Sequence, residues 1–188
     1  MYLLILSFLV AIPNVDYTLT KKIMEVRKSK RKTRWFSTNI IFVNLFFNGY
    51  LYWQNIPVNL LLWRYFIELF IINLVLKYFI HRVRPKYSFI DRKKFQSMTK
   101  MKIQQFDLWK KKQNQSFPSG HVSTVYLTWC LIPDTWLVLH VIYGLLVCLT
   151  IYARVNVRAH HISDCIFALL ISHYFFYFFY LNYAVIVE

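Results

Sequence analysis

Apolar runs of near-bilayer length, set between two dense basic blocks, constrain this chain more than any single motif. A helix needs about 20 apolar residues to cross roughly 30 Å of hydrocarbon. Residues 39–56 (NIIFVNLFFNGYLYWQNI) approach that length and are parted by Pro57 from 58–83, which ends in KYFIHRV. Residues 136–153 and 162–187 supply two more runs, whereas 121–132 (HVSTVYLTWCLI) is short for a span and must begin inside the membrane or lean on its neighbours. Residues 1–13 (MYLLILSFLVAIP) are apolar but short, and they lack the positive start and small-residue cleavage site of a signal peptide. The expectation is an all-α integral membrane bundle of about six transmembrane helices, or five if residues 1–13 do not span. It forms one domain over 1–188, with basic loops at 14–38 and 84–120.

Composition agrees with a lipid solvent, since 57% of the residues are hydrophobic and 20% aromatic, too apolar for a water-soluble domain. Lys and Arg total 23 against 8 Asp and Glu, a net charge of +15 that suits nucleic acid, an anionic lipid surface or a phosphorylated substrate. Distribution decides among these. The charge is concentrated in 21–34 and 82–112, between apolar stretches, which is the pattern of a membrane protein with basic loops. The block 86–112 is therefore read as a surface for anionic headgroups rather than for nucleic acid. Cys130, Cys148 and Cys165 all fall in apolar runs without CxxC spacing, so neither a disulfide framework nor a zinc site is indicated.

Polar residues inside or beside such spans carry the most information. Lys77, His81 and Arg84 recur at i, i+4 and i+7, one helical face, before Pro85 stops the helix. Alone, this stretch also reads as a snorkelling helix end. It has company: His160 and Asp164 are i, i+4 at the start of the last run, and Arg154 ends the run before. If the spans alternate through the membrane, Lys77, Arg84, Ser119, Gly120, His121, Arg154, His160 and Asp164 converge on one face. Three permanent cations gathered there call for an anion, and phosphate offers the several oxygens that Arg holds bidentately. Within FPSGHVST, residues 117–124, Pro118 suits the first turn of a helix and Gly120 admits close backbone approach, so the N–H groups of Ser119-Gly120-His121 are expected at an oxyanion.

Three stretches resemble the motifs of the type 2 phosphatidic acid phosphatase superfamily, KxxxxxxRP, PSGH and SRxxxxxHxxxD. They are KYFIHRVRP from Lys77 to Pro85, Pro118-Ser119-Gly120-His121, and ARVNVRAHHISD from Ala153 to Asp164, with all three spacings intact. The resemblance implies a six-span helical core and a lipid phosphate phosphatase. Its substrate would be a phosphomonoester or pyrophosphate of the phosphatidic acid, phosphatidylglycerol phosphate or polyprenyl pyrophosphate class. It further implies that Lys77, Arg84 and Arg154 bind phosphate, that Ser119 and Gly120 donate to it, that His121 is the general acid, that His160 is the nucleophile and that Asp164 orients it. No metal and no cofactor are implied. Ala153 departs from the family's serine and removes a hydroxyl donor.

The implied chemistry is sound on its own terms. A neutral histidine attacks phosphorus, a carboxylate stabilises the resulting imidazolium, a second histidine protonates the leaving alkoxide, and water cleaves the phosphohistidine. A phosphoryl or phospho-headgroup transferase using the same site and a non-catalytic lipid-binding relative, the latter because of Ala153, are the alternatives. His161 also reaches Asp164, at i, i+3, but spacing from Arg154 favours His160. Arg64 and Glu68, at i, i+4, read as mutual neutralisation inside the bundle, and His140 and His173 as bundle histidines. A zinc ion held by His121, His160, His161 and Asp164 would face repulsion from the neighbouring cations. Partners are therefore membrane lipids and the lipid phosphate. For the side of the membrane, the resemblance implies a lumenal or periplasmic site, whereas the basic blocks beside it point to the cytoplasm by the positive-inside rule.

Overall fold

The computed structural model describes residues 13–25, 30–80, 82, 84, 85 and 116–187. Within them the chain forms six helices and no strand: α1 (Pro13–Glu25), α2 (Lys30–Trp53), α3 (Val58–Phe79), α4 (Gly120–Cys130), α5 (Leu137–Asn156) and α6 (Ile162–Val187). The all-α membrane bundle expected from the apolar runs is the architecture found. By length and composition, α3, α5 and the stretch Ile162–Asn182 of α6 can each cross a membrane. Residues 1–12, the sixth expected span, and the basic block 86–112 lie outside the described residues, as does His81.

Bundle order is set by α4. At 11 residues it rises only about 16 Å, roughly half the hydrocarbon thickness. It cannot span alone and instead packs against α2, α3, α5 and α6. Val122, Val125 and Leu127 are fully enclosed, in apolar clusters completed by Leu51, Ile67 and Ile72, by Ile40 and Val147, and by Val155 and Ala168. Outward-facing side chains such as Leu62, Leu69, Val138, Val141, Leu145 and Phe178 are apolar, as hydrocarbon requires.

Residues 14–38, expected as a basic loop, are instead helical over most of their length. Lys and Arg are good helix formers, and α1 buries one stripe, Asp16, Thr20 and the half-buried Ile23, while Leu19, Lys21 and Lys22 face outward. It packs on α5 and α6. Pro57 separates α2 from α3 as expected, with Asn55 in the left-handed region (φ 61°) closing the turn.

A ten-residue π-helical segment, Ile67–Leu76, interrupts α3. Its wider turn lets Asn73 Nδ2 donate to the Glu68 carbonyl, five residues back, at 2.8 Å. The helix ends at Phe79, so Arg84 lies beyond it. The i, i+4, i+7 face expected for Lys77, His81 and Arg84 therefore does not extend to Arg84. Arg64 and Glu68 form the expected pair at 3.2 Å, and it is tied into α4: Arg64 Nε donates to Thr128 Oγ1 at 3.1 Å and Thr124 Oγ1 to Glu68 Oε1 at 2.5 Å. His140 meets the Pro133 carbonyl at 3.1 Å, and His173 Nδ1 the Tyr126 hydroxyl at 2.7 Å.

Candidate active site

The ends of α3 and α5 and the starts of α4 and α6 meet at one end of the bundle, as alternation of the spans requires. Lys77 comes from the last turn of α3, Arg84 from the link after it, Arg154 from the last turn of α5, and His121 from the first turn of α4. The charges of Arg154, Lys77 and Arg84 all act on His121, and those of Arg154, Arg84 and Lys77 on His160. The three cations and two histidines thus share one electrostatic environment.

His160 sits in the turn between α5 and α6, which is shaped by Arg158 in the left-handed region (φ 61°) and by the Ala159 N–H returning to the Arg154 carbonyl at 3.1 Å. Its side chain is buried. Nδ1 lies 2.5 Å from the Ser116 carbonyl oxygen. A carbonyl can only accept, so the proton is on Nδ1 and the lone pair on Nε2, which lies 3.4 Å from Arg154 Nη2. Burial first, then the Arg154 and Arg84 charges, holds the imidazole well below the usual histidine range, so it is neutral.

Asp164 is fully buried, and its carboxylate is occupied from three directions. Oδ1 accepts from Arg82 Nη1 at 2.7 Å, and Oδ2 from Ser116 Oγ at 2.5 Å and from the His161 N–H at 2.8 Å. Its separation from His160 Nδ1 is 4.0 Å. The direct orienting bond that the resemblance implied is replaced by a relay: Ser116 takes Nδ1–H on its carbonyl and holds Asp164 with its hydroxyl. His161 is turned elsewhere, with Nδ1 3.9 Å from Asp16 Oδ2.

The PSGH stretch behaves in part as expected. Helix α4 starts at Gly120, and Pro118 precedes it after a cis peptide bond, so the proline is outside the first turn rather than in it. The Ser119 N–H donates to the Asp164 backbone carbonyl at 3.2 Å and is not directed at an anion. The Ser119 side chain does not cap the helix. Gly120 is closely packed: a Cβ there would lie 2.8 Å from Asn73 Oδ1 and 3.4 Å from Lys77 Nζ, so the Asn73 amide would have to shift. Asn73 in turn accepts from Lys77 Nζ at 2.5 Å. Ala153 is buried on α5 beside Arg154.

Sequence reasoning missed Asp16, Asn73, Arg82 and Ser116. Asp16 accepts from the Ser163 N–H at 3.0 Å, from Ser163 Oγ at 2.7 Å and from Arg82 Nη2 at 2.5 Å. Burial pushes its carboxyl up, but the Ser163 and Arg82 hydrogen bonds outweigh this and hold it below the usual range. One signal was available: in a chain with 8 acidic residues against 23 basic ones, each carboxylate is worth a partner search.

Fold and geometry together define a cation-lined polar site, with a neutral histidine at its centre, at one end of a membrane helical bundle. A profile of the PAP2 superfamily matches residues 58–186, more than half of the chain. The chain belongs to this superfamily of phosphatases. No curated protein and no solved structure matches it.

Proposed function

We propose that the protein is a metal-independent lipid phosphate phosphatase that hydrolyses a phosphomonoester or pyrophosphate headgroup through a phosphohistidine on His160. The observation that carries this reading is the bond from His160 Nδ1 to the Ser116 carbonyl, which leaves Nε2 unprotonated among Arg154, Arg84 and Lys77. A phosphate bound by these cations, with the first-turn N–H groups of α4 as further donors, would bring phosphorus to that lone pair.

In the first step Nε2 forms the N–P bond as the ester O–P bond breaks. His121, held down to about 3 by burial and then by the Arg154, Lys77 and Arg84 charges, takes up a proton with the substrate once the phosphate oxygens offset those cations, and gives that proton to the departing oxygen. The imidazole then carries positive charge, stabilised from behind by Asp164 through Ser116. In the second step His121 takes a proton from water, whose oxygen attacks phosphorus and releases phosphate and neutral His160. The orientation of His161 toward Asp16 supports His160 as the nucleophile. We place the site on the lumenal or periplasmic side: basic charge beside it also serves to attract an anionic substrate, which weakens the positive-inside argument.

Phosphate release from phosphatidic acid in detergent micelles with excess chelator is the test. Release at the rate seen without chelator is expected. Dependence on an added acceptor alcohol would make the protein a transferase, binding without release a lipid-binding relative, and loss with chelator would end the metal-free route.

A further inference from the structure

Helix α1 lies outside the residues that match the superfamily, yet its buried stripe ends on the start of α6. Asp16 and Thr20, one turn apart, receive the Ser163 and Ile162 N–H groups at 3.0 and 3.2 Å. These are first-turn donors of α6 with no partner inside the helix. Capping alone does not explain Asp16, because its Oδ2 also accepts from Arg82 Nη2, and the other arm of that guanidinium holds Asp164. Two buried carboxylates therefore share one arginine.

The charge count gives this arrangement a purpose. A carboxylate paired one-to-one with Arg82 would form a neutral unit, and its field at His160 would largely cancel. With Asp16 taking part of the same guanidinium, the group Asp16–Arg82–Asp164 carries net −1 on the side of His160 away from the reacting phosphate. We propose that Asp16 is a positioning residue of the phosphatase site: by sharing Arg82 it leaves net negative charge at Asp164 behind His160, so that α1 completes the site. The proposal rests on the reading of His160 as the nucleophile, since the imidazolium formed there is the charge to be stabilised. A second effect is geometric. Arg82 also accepts the Ser116 N–H on its carbonyl at 2.9 Å, so the residue that Asp16 anchors fixes the Ser116 carbonyl that sets the His160 tautomer.

The test compares the full-length protein with Asp16→Asn, Arg82→Lys and the double variant Asp16→Asn/Arg82→Gln, using phosphate release from phosphatidic acid micelles and the melting temperature in detergent. Asp16→Asn keeps an oxygen for the Ser163 N–H and makes the charged group neutral. Its kcat should fall about 10- to 100-fold, the size of effect a small misplacement at the reacting atoms produces, with KM within about twofold. The double variant restores net −1 and should turn over several-fold faster than Asp16→Asn. Arg82→Lys keeps the group at net −1 and should hold kcat within about threefold of wild type, and this outcome carries the test if Asp16→Asn does not fold. Thr20→Ala removes only a cap and should lower the melting temperature while leaving kcat unchanged. Wild-type kcat in Asp16→Asn, a tenfold or greater loss of kcat in Arg82→Lys, or a double variant no faster than Asp16→Asn, overturns the proposal. A wild-type protein that releases no phosphate refutes the phosphatase reading itself, and the proposal falls with it.

Discussion

Replacing Gly120 by alanine should damage the site through a contact that can be worked out in ångströms. The added Cβ would lie 2.8 Å from Asn73 Oδ1. Close C–H···O contacts begin at about 3.3 Å, so the amide must retreat by roughly 0.5 Å. It is held at both ends, by the Glu68 carbonyl at 2.8 Å and by Lys77 Nζ at 2.5 Å, and retreat lengthens one bond or both. Overpacking of this kind typically costs about 1–3 kcal/mol, and a hydrogen bond to a charged group is worth about 1.5–3 kcal/mol. Part of that loss falls on the placement of Lys77. The expected result for Gly120→Ala is a kcat/KM for phosphatidic acid about 10- to 100-fold lower, with a reduced melting temperature in detergent. Adding Asn73→Ala removes the obstructing amide, so the double variant should regain stability over Gly120→Ala while activity stays low, because Lys77 has lost its acceptor. Wild-type melting and turnover in Gly120→Ala would show that the Asn73 amide gives way without loss to Lys77.

Three further outcomes follow from the same geometry. Glu68→Ala leaves Arg64 buried without its carboxylate and should destabilise the bundle by about 3–5 kcal/mol, whereas Arg64→Met/Glu68→Leu should melt near the wild-type temperature; equal melting of both variants would show that the pair is not coupled. His160 is held well below the usual histidine value by burial and then by Arg154 and Arg84, so below about pH 6.5 the unfolded chain binds a proton that the native state refuses. Stability is thus full above that pH and falls as pH drops by about 1.4 kcal/mol per unit for each histidine so held; His121, lowered to about 3 by burial and then by Arg154 and Lys77, adds its own share, so His160→Asn should remove about half of the slope seen by detergent melting. A cysteine introduced at Lys102 should react with an impermeant thiol reagent in sealed cells, and protection there would place the site in the cytoplasm.

The parts of this site legible in the sequence are those that fixed spacing and chain alternation determine. Lys77, Arg154, His160 and Asp164 are placed by which end of which apolar run they occupy, and a helix that crosses a membrane leaves few choices about where its end lies. Arg64 and Glu68 were equally readable, since i, i+4 neighbours meet on any helix. The pitch of α3 was not readable: a π-helical segment and a stop at Phe79 change which residues share a face, and no residue pattern in 67–79 announces either. The supports behind His160 were hidden for another reason. Ser116, Arg82 and Asp16 come from three separate segments and act on the site through backbone atoms or through one another. Such partners follow from packing rather than from periodicity. Charge density in 14–38 suggested a loop, but α1 folds because Asp16 and Thr20 find donors at the start of α6.

A covalent phosphoryl group on His160 can be looked for directly. His121→Ala removes the proton donor of the first step and the base of the second. With a nitrophenyl phosphate, whose leaving group needs little protonation, attack should continue while hydrolysis slows, so the intermediate accumulates. This variant, quenched in alkali and digested, should yield a peptide with one acid-labile phosphoryl group on His160, absent when His160→Ala is added. Phosphate on His161, Ser119 or Asp164, or a His160→Ala protein that still releases phosphate, would contradict it.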